Sequence, residues 1–293
     1  MLRTNADRLI RQPVVGEPDH PTVGRQPYRI GPDGTPHIVP GLGGITYNVR
    51  VGDPCLGWAA DHVEPAVSLK NSNEDRNGAL NLYACVGNQA VVLDGEAKGA
   101  AGTVTGKHGG IEHVMVDFAE TVLRQLHYGD TIQVEAWGLG LELLDGPQVR
   151  VLNLDPELLQ RLGVELRNGS LRVPVAHVVP AAIMGSGLGA QYTQRGDYDI
   201  QLFDPEMVEQ HDLGGLRLGD LVAIINADHS YGRVYRTGAV SVGIISHGAC
   251  VSAGHGPGVT TLLTSAQGHI EPVVDPHANL ADILGLRAEA SSA

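Results

Sequence analysis

Thirteen histidines are spread through the 293 residues, and five of them, His62, His108, His113, His229 and His255, stand beside a glycine or an acid in polar stretches. A neutral imidazole is a nitrogen ligand for a metal ion, and an adjacent carboxylate fixes its tautomer or fills another coordination position. One Asp-His pair recurs in the same frame, GD-x6-ADH, as Asp61-His62 and as Asp228-His229. Two matching frames are expected where a duplicated scaffold brings two loops to one site. The spacing therefore predicts a divalent ion, zinc or manganese, held by Asp228 and His229 with His255 and His62 completing the set. Taken singly, each histidine reads more simply as a turn residue bonded to backbone, because imidazole serves many structural roles.

Acid–base chemistry has its own candidates. Only three of the 20 basic residues are lysine, Lys70, Lys98 and Lys107. Lysine can give up its proton where arginine cannot, so Lys107, beside His108 in "GKHGGIEH", is a candidate for proton transfer with His108 and Glu112. If Ile111–Val116 is extended, Glu112 and His113 point to opposite faces and only one can line a given site. Arg233 suits a substrate carboxylate, with Ser230 beside it. "GHGPGVTT" places Gly256 and Gly258 where backbone N–H groups could form an anion nest. "GDYDIQLFD" puts Asp197 and Asp199 on one face if extended. That pair could bind a hard cation, but the simpler expectation is a solvated strand edge. "GSGLG" lacks dinucleotide-binding spacing, "TVTGKH" lacks the frame of a P-loop, and Ser186 lacks that of a nucleophile elbow.

These residues must be carried by a strand-rich chain. Short β-branched runs between frequent glycine turns, among them "QAVVLD", "TIQVEAW", "LVAIINA", "GAVSVGII" and "GVTTLLTS", read as strands. Helices look few. They are expected near 117–126, at 156–162 behind an Asp155 N-cap with Pro156 in the first turn, after Asp204, and in "TNADRLIRQ" near the N-terminus. "RAEASSA" reads as a frayed tail. The fold class is α+β and β-rich, with barrel-like or sandwich sheets, a few short helices and an internal duplication. A boundary near 153 divides the chain into halves 1–152 and 153–293 packed around a shared site. A looser echo supports the duplication: "GTVTGKHGG" and "GAVSVGIISHGA" both run from glycine through a Val-Thr or Val-Ser strand to His-Gly.

A formal net charge of -13 and scarce aromatics argue against nucleic acid as a partner. No run of 18 apolar residues suggests a membrane span. Three scattered cysteines, Cys55, Cys85 and Cys250, match neither a disulfide framework nor a zinc CxxC pattern, which points to a reducing, cytoplasmic setting.

"GGITYNVRVGD", "ADHVEP", "GKHGGIEHV", "IMGSGLG", "GDYDIQLFD", "ADHSYGRVYR" and "GHGPGVTTLLTS" together resemble the family known as domain of unknown function 4438, from the N-terminus to about Glu271. The resemblance implies a shared fold and brings no catalytic residue with it. A fainter local likeness joins Gly219–Val240 to the glycine-rich loop of the acetamidase/formamidase family, which uses a metal for amide hydrolysis. Here Ser230–Thr237 stands where a tighter glycine turn belongs.

The leading expectation is a metal-dependent hydrolase of a small polar metabolite, cleaving an amide-like C–N bond and working as a homo-oligomer. Two alternatives stay open. One is a metal-free lyase or isomerase using Lys107 and His108. The other is a non-catalytic protein that binds a small ligand or forms an oligomeric shell.

Overall fold

The computed structural model describes residues 2–23, 27–146 and 148–287. In chain order the strands of the first half are β1 (Gln12–Pro18), a short hairpin of β2 (Arg29–Ile30) and β3 (Pro36–His37), β4 (Ile45–Thr46), β5 (Ala66–Lys70), β6 (Gln89–Val92), β7 (Ala101–His108), β8 (His113–Asp117) and β9 (Ile132–Ala136). β1, β9, β6, β7, β8 and β5 form an antiparallel sheet in that order, and β5 pairs back onto β1, closing a six-stranded barrel with β4 added at one edge. Val67, Leu69, Val104, Val116 and Val134 fill its core with Phe118 and Leu123.

The second half begins with β10 (Arg150–Val151), β11 (Glu165–Arg167), β12 (Ser170–Val175) and β13 (His177–Pro180). It continues with β14 (Leu221–Asp228), β15 (Val234–His247), β16 (Gly258–Ser265) and β17 (Ile270–Val274). Here the sheet is open, in the order β10, β16, β15, β14, β13, and a separate three-stranded sheet holds β11, β12 and β17. Two of its pairings, β13 with β14 and β12 with β17, are parallel. The β-rich class holds, with a barrel in one half only.

Among the described residues five short helices accompany the strands: α1 (Glu74–Tyr83), α2 (Glu120–Leu123), α3 (Pro156–Arg161), α4 (Pro205–Gln210) and α5 (Leu280–Leu284). The expected Asp-Pro starts are real: Asp155 accepts from the backbone N–H groups of Glu157 and Leu158, and Asp204 from that of Glu206. The helix expected near 117–126 shrinks to the single turn of α2. "TNADRLIRQ" forms only a 3-10 turn, Ala6–Arg8, none of it buried. Asn5 ties that segment to the Gly140 carbonyl and the Glu142 N–H instead. α1 escapes the apolar pattern because only Asn77, Leu80 and Asn81 face inward. The tail beyond Arg287 lies outside the described residues.

The frame GD-x6-ADH begins alike in both halves and then diverges. In each turn the aspartate Oδ2 accepts from the N–H of an arginine three residues earlier, Arg50 at 2.8 Å and Arg217 at 2.7 Å. Gly52 and Gly219 both take positive φ, 98° and 85°. The two turns also bond each other, Gly52 N–H to Leu218 O and Leu218 N–H to Asp53 O, both 2.8 Å. Beyond them the first copy runs through irregular bends to His62, while the second becomes β14. The likeness is confined to the turns, since the strand orders of the halves differ.

β7 packs across β15 and β16 and so joins the halves. The Lys107 N–H donates to Thr260 Oγ1 at 2.9 Å, which donates back to the Lys107 carbonyl at 3.1 Å. Gly106 lacks the side chain that would collide with Ser246. The last residues of β7 and β15, His108 and His247, therefore end at the same place. No helix among the described residues is long and apolar enough to cross a membrane.

Candidate metal centre

Four imidazoles meet at the junction of the halves. The rings of His108 and His247 stack with centroids 4.0 Å apart, and the His62 ring lies 5.5 Å from the first and 5.2 Å from the second. His255 sits edge-on to His62 at 5.2 Å. Asp197 and Asp199 come down on this group from the loop between β13 and α4. Asp197 Oδ2 is 2.5 Å from His247 Nε2. Asp199 reaches His247 Nε2 at 3.9 Å with one oxygen, and His255 Nδ1 at 3.2 Å and His62 Nε2 at 3.9 Å with the other. Both carboxylates are buried, so the expected solvated strand edge is wrong. Two sets of ligand atoms each lie within 4.8 Å of one another, His108 with Asp197 and His247, and His62 with Cys250 and His255.

The imidazoles are oriented from behind. Glu64 Oε1 binds His108 Nδ1 at 2.6 Å, leaving Nε2 as the free donor atom. Glu64 also binds His113 Nδ1, and His113 Nε2 reaches Asp19 at 2.9 Å. His247 Nδ1 lies 3.0 Å from the Gly248 carbonyl, which leaves its Nε2 turned on Asp197. A carboxylate or carbonyl behind the imidazole is the usual support for a metal-binding histidine.

Burial and charge oppose each other here. Desolvation would lower the His247 pKa, but Asp197 and then Asp199 raise it to about 9. Desolvation would likewise raise Asp197, yet His247 holds it well below the ordinary carboxylate range. Burial is outweighed again at Glu64, which His108 and His113 keep ionised. At His62 burial outweighs the opposing pull of Asp61, and the pKa is lowered. His255 is raised chiefly by its contact with Asp199. Pairs of titratable groups driven apart in this way gather at functional sites.

A cavity of about 660 Å³ opens over the cluster, lined by His62, His108, Asp197, Asp199 and His255 together with Glu112, Arg195 and Arg233. Its volume is that of a small-molecule site. Glu112 takes a left-handed φ of 60° in the β7–β8 turn. The side-chain amides of Asn77 and Asn81 on α1 hold its carbonyl at 3.1 and 2.9 Å. Positive φ in a residue with a bulky side chain is costly and persists where its surroundings enforce it. Gly78 on the same helix leaves room for the Arg195 guanidinium, which a Cβ would strike. Glu112 Oε2 and the Nε atoms of Arg195 and Arg233 are buried and have no partner.

The residues singled out in the sequence are divided by this geometry. His62, His108, Glu112, Arg233 and His255 share the cavity. Asp228 and His229 do not join His62 and His255. Asp228 faces a different hollow, where it accepts from the Ser230 N–H at 2.9 Å and pairs with Arg236 at 3.2 Å. His229 is fully buried, its Nδ1 2.7 Å from Thr261 Oγ1 and its ring against Tyr198. Ser230 lines the Asp228 hollow, away from Arg233's cavity. Lys107 also turns away from the cavity. Its Nζ binds Asn153 Oδ1 and the Gln194 carbonyl, both at 2.7 Å, and burial lowers its pKa to about 8. Gly256 and Gly258 lie outside the cavity lining, and the Gly256 N–H donates to Asp199 Oδ2 at 3.3 Å. Each permits a close approach, Gly256 to the Ile200 carbonyl and Gly258 to the Asp197 carboxylate and the His247 ring, where a Cβ would collide. His247, Glu64 and Cys250 were not identified from the sequence, although the His-Gly echo contained His108 and His247 together, and Asp197 was set aside there as a strand edge after being weighed as a cation ligand.

The solved crystal structure of TM1086 is similar to this chain, with 49% identity and a TM-score of 0.92 over 96% of this chain and 98% of that one. No curated protein matches. The acetamidase/formamidase likeness finds no support in these matches; Gly219–Val240 contains the hairpin turn between β14 and β15, with Asp228 held by Ser230 and Arg236. Family models for domain of unknown function DUF4438 match residues 28–160 with the N-terminal part and residues 161–284 with the C-terminal part, and the chain belongs to that family.

Proposed function

We propose that this protein is a metal-dependent hydrolase of a small carboxylate-bearing metabolite, cleaving an amide-like C–N bond. One observation carries the reading. His108 and His247 present their Nε2 atoms beside the Asp197 carboxylate, with the opposite nitrogen of each ring already engaged by Glu64 or by the Gly248 carbonyl. Two imidazoles and one carboxylate are a known ligand set for catalytic zinc. Of the two ions expected from the sequence, zinc suits this nitrogen-rich set better than manganese.

A divalent ion held by His108, Asp197 and His247 would supply an acidified water and would polarise the substrate carbonyl. The remaining work falls to this chain's own side chains. Arg233 and Arg195 line the same cavity as the cluster and would take the substrate carboxylate, a charge that matches their unpartnered N–H groups. Glu112, which shares the cavity with them and has a buried carboxylate oxygen without a partner, would accept a proton from the attacking water and return it to the departing nitrogen. Lys107 has no place in this scheme, because its ammonium is consumed in joining β7 to Asn153 and Gln194.

The test combines elemental analysis of the purified protein with a panel of small amides carrying one carboxylate. The expected result is bound divalent metal and turnover that Glu112→Gln reduces at least a hundredfold in kcat, with metal content unchanged. Metal-free protein after metal-supplemented expression, or Glu112→Gln turning over like the parent, overturns the assignment.

A further inference from the structure

The proposed hydrolytic centre takes His108, Asp197 and His247, and a second ligand set is left over. His62, Cys250 and His255 each bring a ligand atom within 4.8 Å of the others. They come from two loops, His62 from the bends before β5 and the other two from the loop between β15 and β16. Folding has to bring these loops together, and it does so through backbone bonds: His62 N–H to Ala249 O at 2.9 Å, Gly248 N–H to Val63 O at 2.9 Å and Ala249 N–H to Cys55 O at 2.9 Å. His62 is held with φ at 54°, a conformation unfavourable for a ring-bearing residue, which turns it in over the cluster.

We propose that the cluster is a two-metal centre, with a second divalent ion bound by His62, Cys250 and His255 and joined to the inner ion through Asp199. The inference rests on the inner site for its bridge but has its own ligands. Asp199 is placed for bridging, because one oxygen faces His247 and the other faces both His62 and His255. Asp61 stands behind this set as Glu64 stands behind the first. It accepts from Cys250 Sγ at 2.9 Å and from the Val251 N–H at 3.1 Å, and lies 3.3 Å from His62 Nδ1. His62 Nδ1 is buried and makes no hydrogen bond, so a small shift of the ring gives it Asp61 as a partner and commits Nε2 to the ion.

The two positions differ in chemistry. The inner one offers two nitrogens and a carboxylate, all buried. The outer one adds a sulfur, and His255, half-exposed in the cavity lining, leaves it open to exchange. Binding there breaks the S–H bond, releases the proton to solvent and forms a metal–thiolate bond. Thiolate with imidazole favours zinc, and replaces the hard oxygen set that magnesium or calcium would need. Paired ions about 3.5–4 Å apart serve hydrolases by holding both the attacking and the leaving group.

Cobalt(II) titration of the metal-stripped full-length protein tests this without reference to activity. The parent is expected to bind two equivalents, one of them with the near-ultraviolet absorption of a cobalt–thiolate bond. Cys250→Ser should lose that band and one equivalent, and His255→Gln should weaken the same equivalent at least tenfold. His247→Ala should remove the other equivalent and leave the band. One equivalent in the parent without a thiolate band, abolished by His247→Ala, overturns the second position and leaves the inner one standing. A single thiolate-bound equivalent untouched by His247→Ala retains the second position and defeats the inner one. A band that persists in Cys250→Ser also overturns the proposal.

Discussion

The two Asp-His pairs share a sequence frame and end in opposite circumstances. His62 lies among three other imidazoles and two carboxylates at the floor of a cavity, with Asp61 behind it. His229 is sealed among apolar and hydroxyl groups, Nδ1 on Thr261 and Nε2 without a partner, while its neighbour Asp228 turns outward to Arg236. Desolvation drives the His229 pKa down to about 3. The frame fixes the turn in which it begins, a Gly-Asp bend with an aspartate accepting from an N–H three residues back. Six residues later the two chains have taken different routes, one through bends and one along a strand. A looser echo proves more telling. His108 and His247 end β7 and β15, strands that cross closely at Gly106 and Ser246, so their side chains arrive together.

The largest difference between the pairs should appear in metal content. His247→Ala removes one of three ligands from the inner position, and by elemental analysis bound metal should fall by the one equivalent held there, leaving the outer equivalent in place. His229→Ala should leave metal unchanged. Equal losses in the two variants would erase the distinction.

Acid stability comes next. An unfolded histidine takes up a proton near its ordinary pKa of about 6.5, whereas His229 in the fold resists protonation down to about 3. Proton uptake therefore favours the unfolded chain, and stability held through His229 is lost as the pH falls from 6.5 toward 3. The contribution is on the order of 4 kcal/mol across that range. Denaturant unfolding of His229→Gln should show a shallower decline below pH 6.5 than the parent; parallel curves would mean that the buried imidazole does not titrate as its surroundings require.

Glu64 supports the cluster from outside the ligand set, so its removal should do less than loss of a ligand. Glu64→Gln should weaken metal affinity about 10–100-fold, the usual effect of removing such a support, measured by competition with a chelator. The smallest effect belongs to Asp228→Asn. It weakens an ion pair with the half-exposed Arg236, which is worth at most about 1 kcal/mol, and metal content should not change. A melting temperature lowered by many degrees, or lost metal, would give Asp228 a larger role than its contacts allow.

Much of the fold is readable in the chain because strand and cap signals are local. Asp155 and Asp204 announce α3 and α4, and the β-branched runs fall largely on strands. Local signals miss α1, where two asparagines and a glycine serve the β7–β8 turn and Arg195 in place of an apolar stripe. Closure of the first sheet is equally hidden, since it depends on Glu17 and Pro18 meeting Lys70 and Leu69 across fifty residues. The site is legible in part. His62, His108 and His255 announce themselves by their polar neighbours. Asp197 and Asp199 look like a charged strand edge until the loop that carries them closes over His247. Lys107 looks reactive because lysine is rare here, yet what selects it is a buried hydrogen-bonding position between Asn153 and Gln194.

Anomalous diffraction from crystals grown with zinc, collected on either side of the zinc absorption edge, locates the metal directly and compares the two Asp-His regions in one experiment. The account requires a peak about 2.0–2.1 Å from His108 Nε2 and His247 Nε2, with Asp197 as the third ligand. A peak between Asp228 and His229, or no peak at the imidazole cluster in zinc-supplemented crystals, would contradict it.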